Sequence, residues 1–551
     1  MENSEIIDAL NMSFDDDLSD FGDDSDADPD YTLDSNIFSS SDEEDSSIPH
    51  EPNINIFPTH IPSICGLANN STSCPVFNPN EEPFGINPDI IETLNNGSPY
   101  DFFCLFVDDE VLNLLVIETN RYGNSLYTSA QRPKSRLKEW VETDIVEMRT
   151  FLGIIMWMGL TPQPSIASYW SKNDIYKSNI SNYMKRNRFE LLLRSFHCCN
   201  NNECPRGDRI FKIRGLVDML VNKFKNCNIP GENLCVDESI IPFVGRLSFR
   251  QYIQNKRHRY GIKVFKLCTN DGYTVGFKIY AGQESVPGMG LSTKIVKELS
   301  EDYLDMGRTI FTDNWYTSIS LANELLSRST NSVGTLRSNR KFNPKNVINT
   351  KLKKGEIISN KNENNILVLK WKDKRDVLML STKHNDNVIE TTNKYGNKIV
   401  KPKVVFDYNK AKGFVDISDL RGSYHSPLRR SLKWYRKVAF EILLNTSLLN
   451  ALTLFTTVTG NKIGVTEFRE MILKSLIQKS EISQISQEEN HKLVTCKRGR
   501  CYECYNEMAK QGGRQHAQKV TRKVQTMCIR CSKPLCLDCF FTTHSSKRIK
   551  F

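Results

Sequence analysis

Neither lysine nor arginine occurs before Arg121, although 27 aspartates and glutamates lie between Glu2 and Glu118. All 73 basic residues therefore fall in the remainder, which holds only 38 of the 65 acidic ones, a local net charge of +35 hidden inside an overall +8. A body that basic, led by an acidic segment, points to a polyanion partner, nucleic acid above all. The plainer alternative is a solvated basic surface with no specific partner. Long apolar runs are also missing. The longest, Phe151 to Leu160, is too short to span a bilayer, so a soluble chain with no membrane partner is expected. The N-terminal stretch opens with acids and has no basic n-region or apolar core, so no secretory signal is expected. Cysteine is thin over most of the chain, yet seven of the 16 crowd between Cys496 and Cys539. In a large chain without a secretory signal, that crowding favours metal binding over disulfides.

At 551 residues the chain has room for two to four domains and a large core. Residues 1–95 read as a disordered acidic tail. Asp15–Asp17, Asp23–Asp30 and Ser39–Asp45 are acidic, Ser-rich and poor in apolar groups, too poor to offset the entropy of ordering. Residues 96–230 read as an all-helical module: Phe102, Phe103, Leu105, Phe106, Val111, Leu112, Leu115 and Val116 recur near the helical period, and Ile145–Met158 and Arg186–His197 add two further helices. After Gly231 the pattern shifts to strands over Asn233–Pro242, Tyr260–Thr269 and Tyr273–Tyr280, the last two joined by the turn signal Asn270-Asp271-Gly272. Helix Thr293–Leu299, strand Thr309–Phe311, helix Ser320–Ser327 and strand Asn331–Thr335 follow. Strands followed by alternating helix and strand predict an α/β sheet of the ribonuclease H-like kind. Its catalytic core is assigned to residues 231–336 and 406–475, split by a polar insertion at 337–405. A linker (476–495) and a Cys-rich domain (496–551) complete the chain.

Three aspartates stand out by position. Asp237 and Asp313 each end a strand, and Asp416 lies where a loop enters a helix. Carboxylates at strand ends converge on one edge of a sheet, where a third from a helix can join them. Such a cluster repels itself unless divalent cations neutralise it. Mg²⁺ accepts a few carboxylate oxygens and keeps positions open for phosphate oxygens, and two ions about 3.5–4 Å apart can activate a nucleophile and stabilise the leaving oxygen. Taken singly, each aspartate is more commonly a turn or cap residue.

Basic and aromatic residues interleave just beyond Asp237. Arg246, Arg250, Lys256, Arg257, Arg259 and Lys263 alternate with Phe249, Tyr252 and Tyr260, a pattern suited to phosphate contacts and to stacking on splayed bases. The competing reading is a solvated β-ribbon with its aromatics turned to the core. Arg429, Arg430, Lys433 and Trp434 follow Asp416; Trp434 stacks on nucleic acid or simply packs.

In the tail, Cys501-x2-Cys504 precedes Cys528-x2-Cys531-x4-Cys536-x2-Cys539 and His544. Cysteines two apart chelate one tetrahedral Zn²⁺, and three pairs plus a histidine suit two interleaved ions, with Cys496 and His516 competing as the eighth ligand. Ten lysines and arginines between Lys510 and Lys550 favour DNA as the partner. A RING-like protein-binding module is the alternative for the tail alone. Lys547-Arg548-Ile-Lys550 is a nuclear-import hint and, equally, a basic surface stretch.

Several blocks occur in an order that resembles the piggyBac transposase family: Ser98-Pro-Tyr-Asp-Phe-Phe, Cys235-Val-Asp237-Glu-Ser, Phe249-Arg-Gln-Tyr-Ile-Gln-Asn-Lys256, Tyr260-Gly-Ile-Lys263, Thr312-Asp-Asn-Trp-Tyr-Thr-Ser318, Gly334-Thr-Leu-Arg-Ser-Asn339 and Gly413-Phe-Val-Asp416. The resemblance covers roughly residues 80–545. It implies that Asp237, Asp313 and Asp416 hold two Mg²⁺ or Mn²⁺ ions, that Asp419 is an accessory carboxylate, and that Arg337 and Arg340 hold target or transposon DNA. It further implies a nuclear DNA transposase, a homodimer on double-stranded DNA, that forms hairpin ends and joins at TTAA, with its zinc tail recognising the transposon ends. Phe414, where a second glycine is common, and Glu238-Ser239, where an acid–amide pair is common, are departures that remove no ligand. The alternative is a domesticated, catalytically silent DNA- or chromatin-binding descendant.

Overall fold

The computed structural model describes residues 75–81, 84–130, 135–254, 259–282, 290–392, 398–429, 432–487, 493–528, 531 and 533–545. The chain divides after Lys474 into two compact units. Helices open the first: α1 (Pro88–Leu94), α2 (Pro99–Cys104), α3 (Asp109–Ser129), α4 (Ile145–Leu160), α5 (Arg186–Ser195) and α6 (Phe211–Cys227). Their starts follow from the sequence. Ser98 and Asp101 form a reciprocal capping box with proline in the first turn of α2, and Asp108 and Asp144 cap α3 and α4. Helix α1 lies inside the segment expected to be disordered; Asn87 caps it, Pro88 starts it and Ile90 is buried. Residues 75–81, also inside that segment, are held by distant contacts: Asn331 Nδ2 donates to Pro75 O at 2.8 Å and the Phe77 ring faces the Arg308 guanidinium at 5.2 Å.

A nine-stranded sheet follows, built from β1 (Asn233–Pro242), β2 (Gln251–Tyr252), β3 (Tyr260–Cys268), β4 (Thr274–Ile279), β5 (Thr309–Thr312), β6 (Asn331–Thr335), β7 (Ile357–Lys361), β8 (Leu367–Lys372) and β9 (Asp376–Ser381). The spatial order is β2-β3-β1-β5-β6-β9-β8-β7, with β4 also on β3. The pairs β1–β5 and β5–β6 are parallel and the others antiparallel. Helices α7 (Leu291–Ser300) and α8 (Ile319–Ser327) make the crossovers, as parallel pairs require. The turn at Asn270-Asp271-Gly272 forms as its residues predict: Gly272 has φ +82°, and a Cβ there would meet Ile417 Cγ2 at 3.0 Å.

The segment 337–405, expected as an insertion, extends this same sheet. Its strands β7, β8 and β9 add to the β6 edge, after a short helix α9 (Lys345–Asn349). Strict alternation on β8 explains why: Leu367, Leu369 and Trp371 pack on one face with Phe311, Val333 and Met379, while Val368 packs on the other with Ala322, Leu336 and Leu380. A separate hairpin, β10 (Val388–Thr392) with β11 (Lys398–Pro402), leads into α10 (Lys403–Ala411) and α11 (Phe414–Ser423). Val404, Val405, Tyr408, Phe414 and Val415 bury these two helices against the first face.

The span α12 (Trp434–Glu441), a π-helical turn at Ile442–Thr446 and α13 (Ser447–Thr459) is long and apolar enough to cross a membrane, yet 94% of its most apolar window is buried inside the fold. It is the central core helix. Helix α14 (Val465–Gln487) continues into the residues expected as a linker. The second unit carries β12 (Leu493–Arg500), α15 (Tyr502–Val520), β13 (Lys523–Cys528), β14 (Lys533–Pro534) and α16 (Leu537–Ser545), with the three strands in one small sheet.

Candidate active site and metal centres

The parallel register ends with Val236 opposite Thr312, so the next residues, Asp237 and Asp313, emerge side by side at one sheet edge. The carboxylates of Asp237, Glu238 and Asp313 lie within 4.8 Å of one another. Local bonds fix them. Asp237 Oδ1 accepts from the Glu238 N–H at 2.7 Å, and Asp313 Oδ1 accepts from the Trp315 N–H at 2.8 Å. The Thr317 hydroxyl donates to Asp313 O at 2.7 Å. The Tyr316 hydroxyl donates to Glu238 Oε2 at 3.2 Å, and Lys263 Nζ stands 3.9 Å from the same oxygen. Gly334 lets β6 approach this turn: a Cβ there would sit 2.2 Å from Thr317 Oγ1 and 2.4 Å from Thr312 O.

Burial, then the Glu238 charge, push the Asp313 carboxyl up to about 6, against the pull of the Trp315 and Tyr316 N–H groups and Arg337. A carboxylate strained in this way by its neighbours is a ready cation ligand. Asp416 lies in the first turn of α11 and is exposed. It is not one of the three carboxylates grouped within 4.8 Å of one another. Burial, then the charges of Asp237, Cys268, Asp416 and Asp313, hold the Cys235 thiol well above its ordinary value. Cys235 also donates to Lys412 O at 3.9 Å, joining the α10–α11 junction to β1.

Asp419 is held differently. Both of its oxygens accept from Ser239 Oγ at 2.7 Å, and Oδ1 receives Lys266 Nζ at 2.8 Å. Lys266 lies opposite Asp237 in the β1–β3 register and is 6% exposed. Burial alone would lower its pKa, but Asp419, Cys268 and Glu441 outweigh it and raise it. Asp419 is therefore the anion of an ion pair beside the carboxylate trio.

The basic residues divide. Arg337 Nε donates to Asn314 Oδ1 at 2.9 Å, and the Arg340 guanidinium donates to the carbonyls of Asn314 and Trp315, so both flank Asp313. Lys263 lies over the Trp315 ring at 4.8 Å and the Phe265 ring at 5.0 Å. Arg250 donates to Val244 O and Gly245 O and covers Tyr260 at 4.9 Å. Tyr252 and Tyr260, 45% and 43% exposed, pair at 4.9 Å, so these two aromatics face outward. Phe249 is buried and meets Trp434 edge-on at 5.3 Å. Trp434 thus packs. Arg429 donates to Gln163 O at 3.0 Å and Tyr169 Oη at 2.9 Å, which ties it to the helical module. Arg246 is exposed. Lys256, Arg257 and Arg430 lie outside the described residues.

In the second unit, Cys501, Cys504, Cys536 and Cys539 bring their sulfurs within 4.8 Å of one another. The first and third pairs combine across 32 to 35 residues, with Cys504 Sγ 3.4 Å from Cys539 Sγ. Burial opposes the Cys536 thiolate, but the Cys539 N–H and side chain, Arg522 and Cys501 outweigh it and lower its pKa to about 7. Four sulfurs so placed fit a tetrahedral Zn²⁺. Cys528 and Cys531 sit against this cluster, but among the described residues they do not join a second group of three. The His544 side chain lies outside the described residues.

Sequence reasoning missed Glu238, Lys266 and Tyr316 as functional residues. The adjacent acids Asp237 and Glu238 in a β-rich run were the available signal for Glu238. Nothing local marks Lys266, whose partner is 153 residues away.

A family model described as Transposase IS4 matches residues 98–452. The human PiggyBac transposable element-derived protein 3 is 26% identical over 445 residues, 74% of this chain and 72% of the relative. The human PiggyBac transposable element-derived protein 2 is 28% identical over 294 residues, half of this chain and 47% of the relative. A piggyBac transposase solved as a synaptic complex with hairpin DNA superposes with a TM-score of 0.65 at 23% identity, over 83% of this chain and 98% of that one, which shows a shared mixed α/β fold. The chain belongs to the Transposase IS4 family, and its matched relatives within it are of piggyBac type.

Proposed function

We propose that the chain is a DNA transposase of piggyBac type that cuts and joins strands by metal-dependent phosphoryl transfer. The observation that carries this reading is the trio Asp237, Glu238 and Asp313, with Asp416 entering from α11. Two divalent cations held there would activate the attacking oxygen and neutralise the leaving one. The protein's own groups position: β1 and β5 aim the carboxylates, Arg337 and Lys263 bring positive charge to the phosphate, and Tyr252 and Tyr260 offer rings to splayed bases. Asp419, kept on Lys266, supports the site from β3. In this reading the sheet is the ribonuclease H-like core, and hairpin ends, joining at TTAA, action as a homodimer and nuclear location follow the piggyBac pattern. The Cys-rich unit binds zinc and recognises transposon ends.

A second reading is a domesticated protein that binds DNA without cutting it. The human relatives are named as transposable element-derived, which favours it; the grouped carboxylates of Asp237, Glu238 and Asp313 favour activity. An excision assay separates them. A reporter interrupted by the element's own ends is supplied with the wild type or with Asp313→Asn. Excision by the wild type alone, with TTAA restored, supports the transposase. End binding without excision supports the silent protein.

A further inference from the structure

The loop that carries Arg337 and Arg340 includes an aromatic residue with no role so far. Phe342 is 75% exposed and its backbone lies at φ +67°. Exposure alone means little, since isolated apolar side chains are common on protein surfaces. A left-handed backbone at an aromatic residue is different, because the Cβ then crowds the following carbonyl oxygen. The other non-glycine residues with positive φ among the described residues are Asp305, Ser329, Asn365 and His425, all polar. Asn, Asp and His are the types enriched in that conformation. Phe342 thus joins two unfavourable features, and no ring contact of its own appears among the described residues to offset them.

The surroundings impose this geometry. Asn343 Nδ2 donates to Arg337 O at 2.9 Å and to Ser338 O at 3.2 Å, and the Arg340 N–H closes a turn on Arg337 O at 3.3 Å. The side chains of Arg337 and Arg340 tie the loop to Asn314 and Trp315, directly after Asp313. Strained residues persist where surroundings over-determine them, and they cluster at ligand clamps. Exposed Arg337, Lys341 and Lys345 surround this one in sequence, so the surface that presents the ring is cationic.

We propose that Phe342 is a stacking wedge, a ring on the loop that Arg337 and Arg340 tie to Asn314 and Trp315, there to pack on the face of an unpaired DNA base while Arg337, Lys341 and Lys345 take the neighbouring phosphates. This rests on the DNA-cutting reading above. A ring suits any base, because every base offers a π face, and an apolar wedge can hold a base step open.

The test uses the full-length protein and two short fluorescein-labelled duplexes, one fully paired and one carrying a single unpaired thymine. Wild type, Phe342→Ala, Phe342→Gly and Phe342→Trp are compared by anisotropy, by permanganate oxidation of the unpaired thymine and by thermal melting. The wild type should prefer the unpaired-thymine duplex and protect that base. Phe342→Ala and Phe342→Gly should lose about 10-fold in affinity for it, the scale of one base–aromatic stack, leave the paired duplex unchanged and expose the thymine. Phe342→Trp should retain both properties, and Phe342→Gly, relieved of strain, should melt no lower than the wild type. Equal affinity and protection across all variants would overturn the wedge while leaving DNA binding intact. A lower melting point for Phe342→Gly would make the ring a packing element instead. A wild type that binds neither duplex would overturn the DNA-cutting reading as well.

Discussion

Replacing Lys266 by methionine tests whether Asp419 is the anion of an ion pair, as its contacts indicate. The two charges are 2.8 Å apart, and Lys266 is almost fully enclosed. At an effective dielectric constant near 20 their attraction is about 6 kcal/mol before desolvation is counted. Removing one partner of a buried pair generally costs about 3–5 kcal/mol, because the remaining charge stays uncompensated. The Asp419 side chain is one-third exposed, so water and Ser239 recover part of that loss, and Lys266→Met should cost about 2–3 kcal/mol. Asp419→Asn should cost at least as much, since it strands the ammonium in the interior with only Glu441 nearby. The double variant Lys266→Met/Asp419→Asn should be more stable than the sum of the single losses requires, by about 2 kcal/mol. Thermal melting followed by near-UV circular dichroism would read this as a fall of about 3 °C for each single variant, partly restored in the double. Strictly additive losses, or a Lys266→Met protein that melts like the wild type, would refute the pairing.

Four further outcomes follow from the geometry of the two sites. The Asp313 pKa of about 6 is raised above its unfolded value, so the stability associated with its protonated form is complete below about pH 4 and is lost as pH rises through 6. In the absence of divalent cations, Asp313→Asn should therefore melt higher than the wild type at pH 8 and equal to it near pH 4. Mg²⁺ or Mn²⁺ binding followed by calorimetry should weaken as pH falls through 6, because protons compete for that carboxylate; pH-independent affinity would remove Asp313 from the ligands. Gly334→Ala forces a methyl to within 2.4 Å of the Thr312 carbonyl oxygen. It should destabilise by about 2–4 kcal/mol, at the upper end of overpacking, and abolish strand cleavage; a stable, active variant would show that the turn has room. Cys504→Ser should remove one zinc per chain by elemental analysis, whereas Cys528→Ser should leave the four-sulfur site filled; the reverse result would reassign the pairs.

Much of the arrangement is legible from local pattern. The β-rich runs Asn233–Pro242 and Tyr260–Thr269, the turn at Asn270-Asp271-Gly272 and the capped helices α2, α3 and α4 depend on neighbours a few residues apart. Asp313 follows the end of β5 as expected, whereas Asp237, expected at a strand end, lies inside β1, which runs on to Pro242 because its antiparallel pairing with β3 continues past the point where its parallel pairing with β5 stops. The segment 337–405 was harder, because its polar, Lys- and Asn-rich turns hide the short apolar alternation of β8 that joins it to the sheet. The contacts of Pro75 and Phe77 were hidden as well, because they are made with Asn331 and Arg308, more than 230 residues downstream.

Composition, period and spacing determined the class of fold, the position of Asp313 after its strand, the basic body and the paired cysteines, because each is written in residues close together in the chain. Tertiary structure alone decided that Glu238 stands with Asp237 and Asp313, that Lys266 claims Asp419, that the first and third cysteine pairs meet, and that Phe342 is held in a strained turn. These outcomes depend on the register of paired strands and on contacts between distant segments. A register shift of one residue would turn every side chain to the opposite face of the sheet, so only the assembled sheet fixes which charges become neighbours.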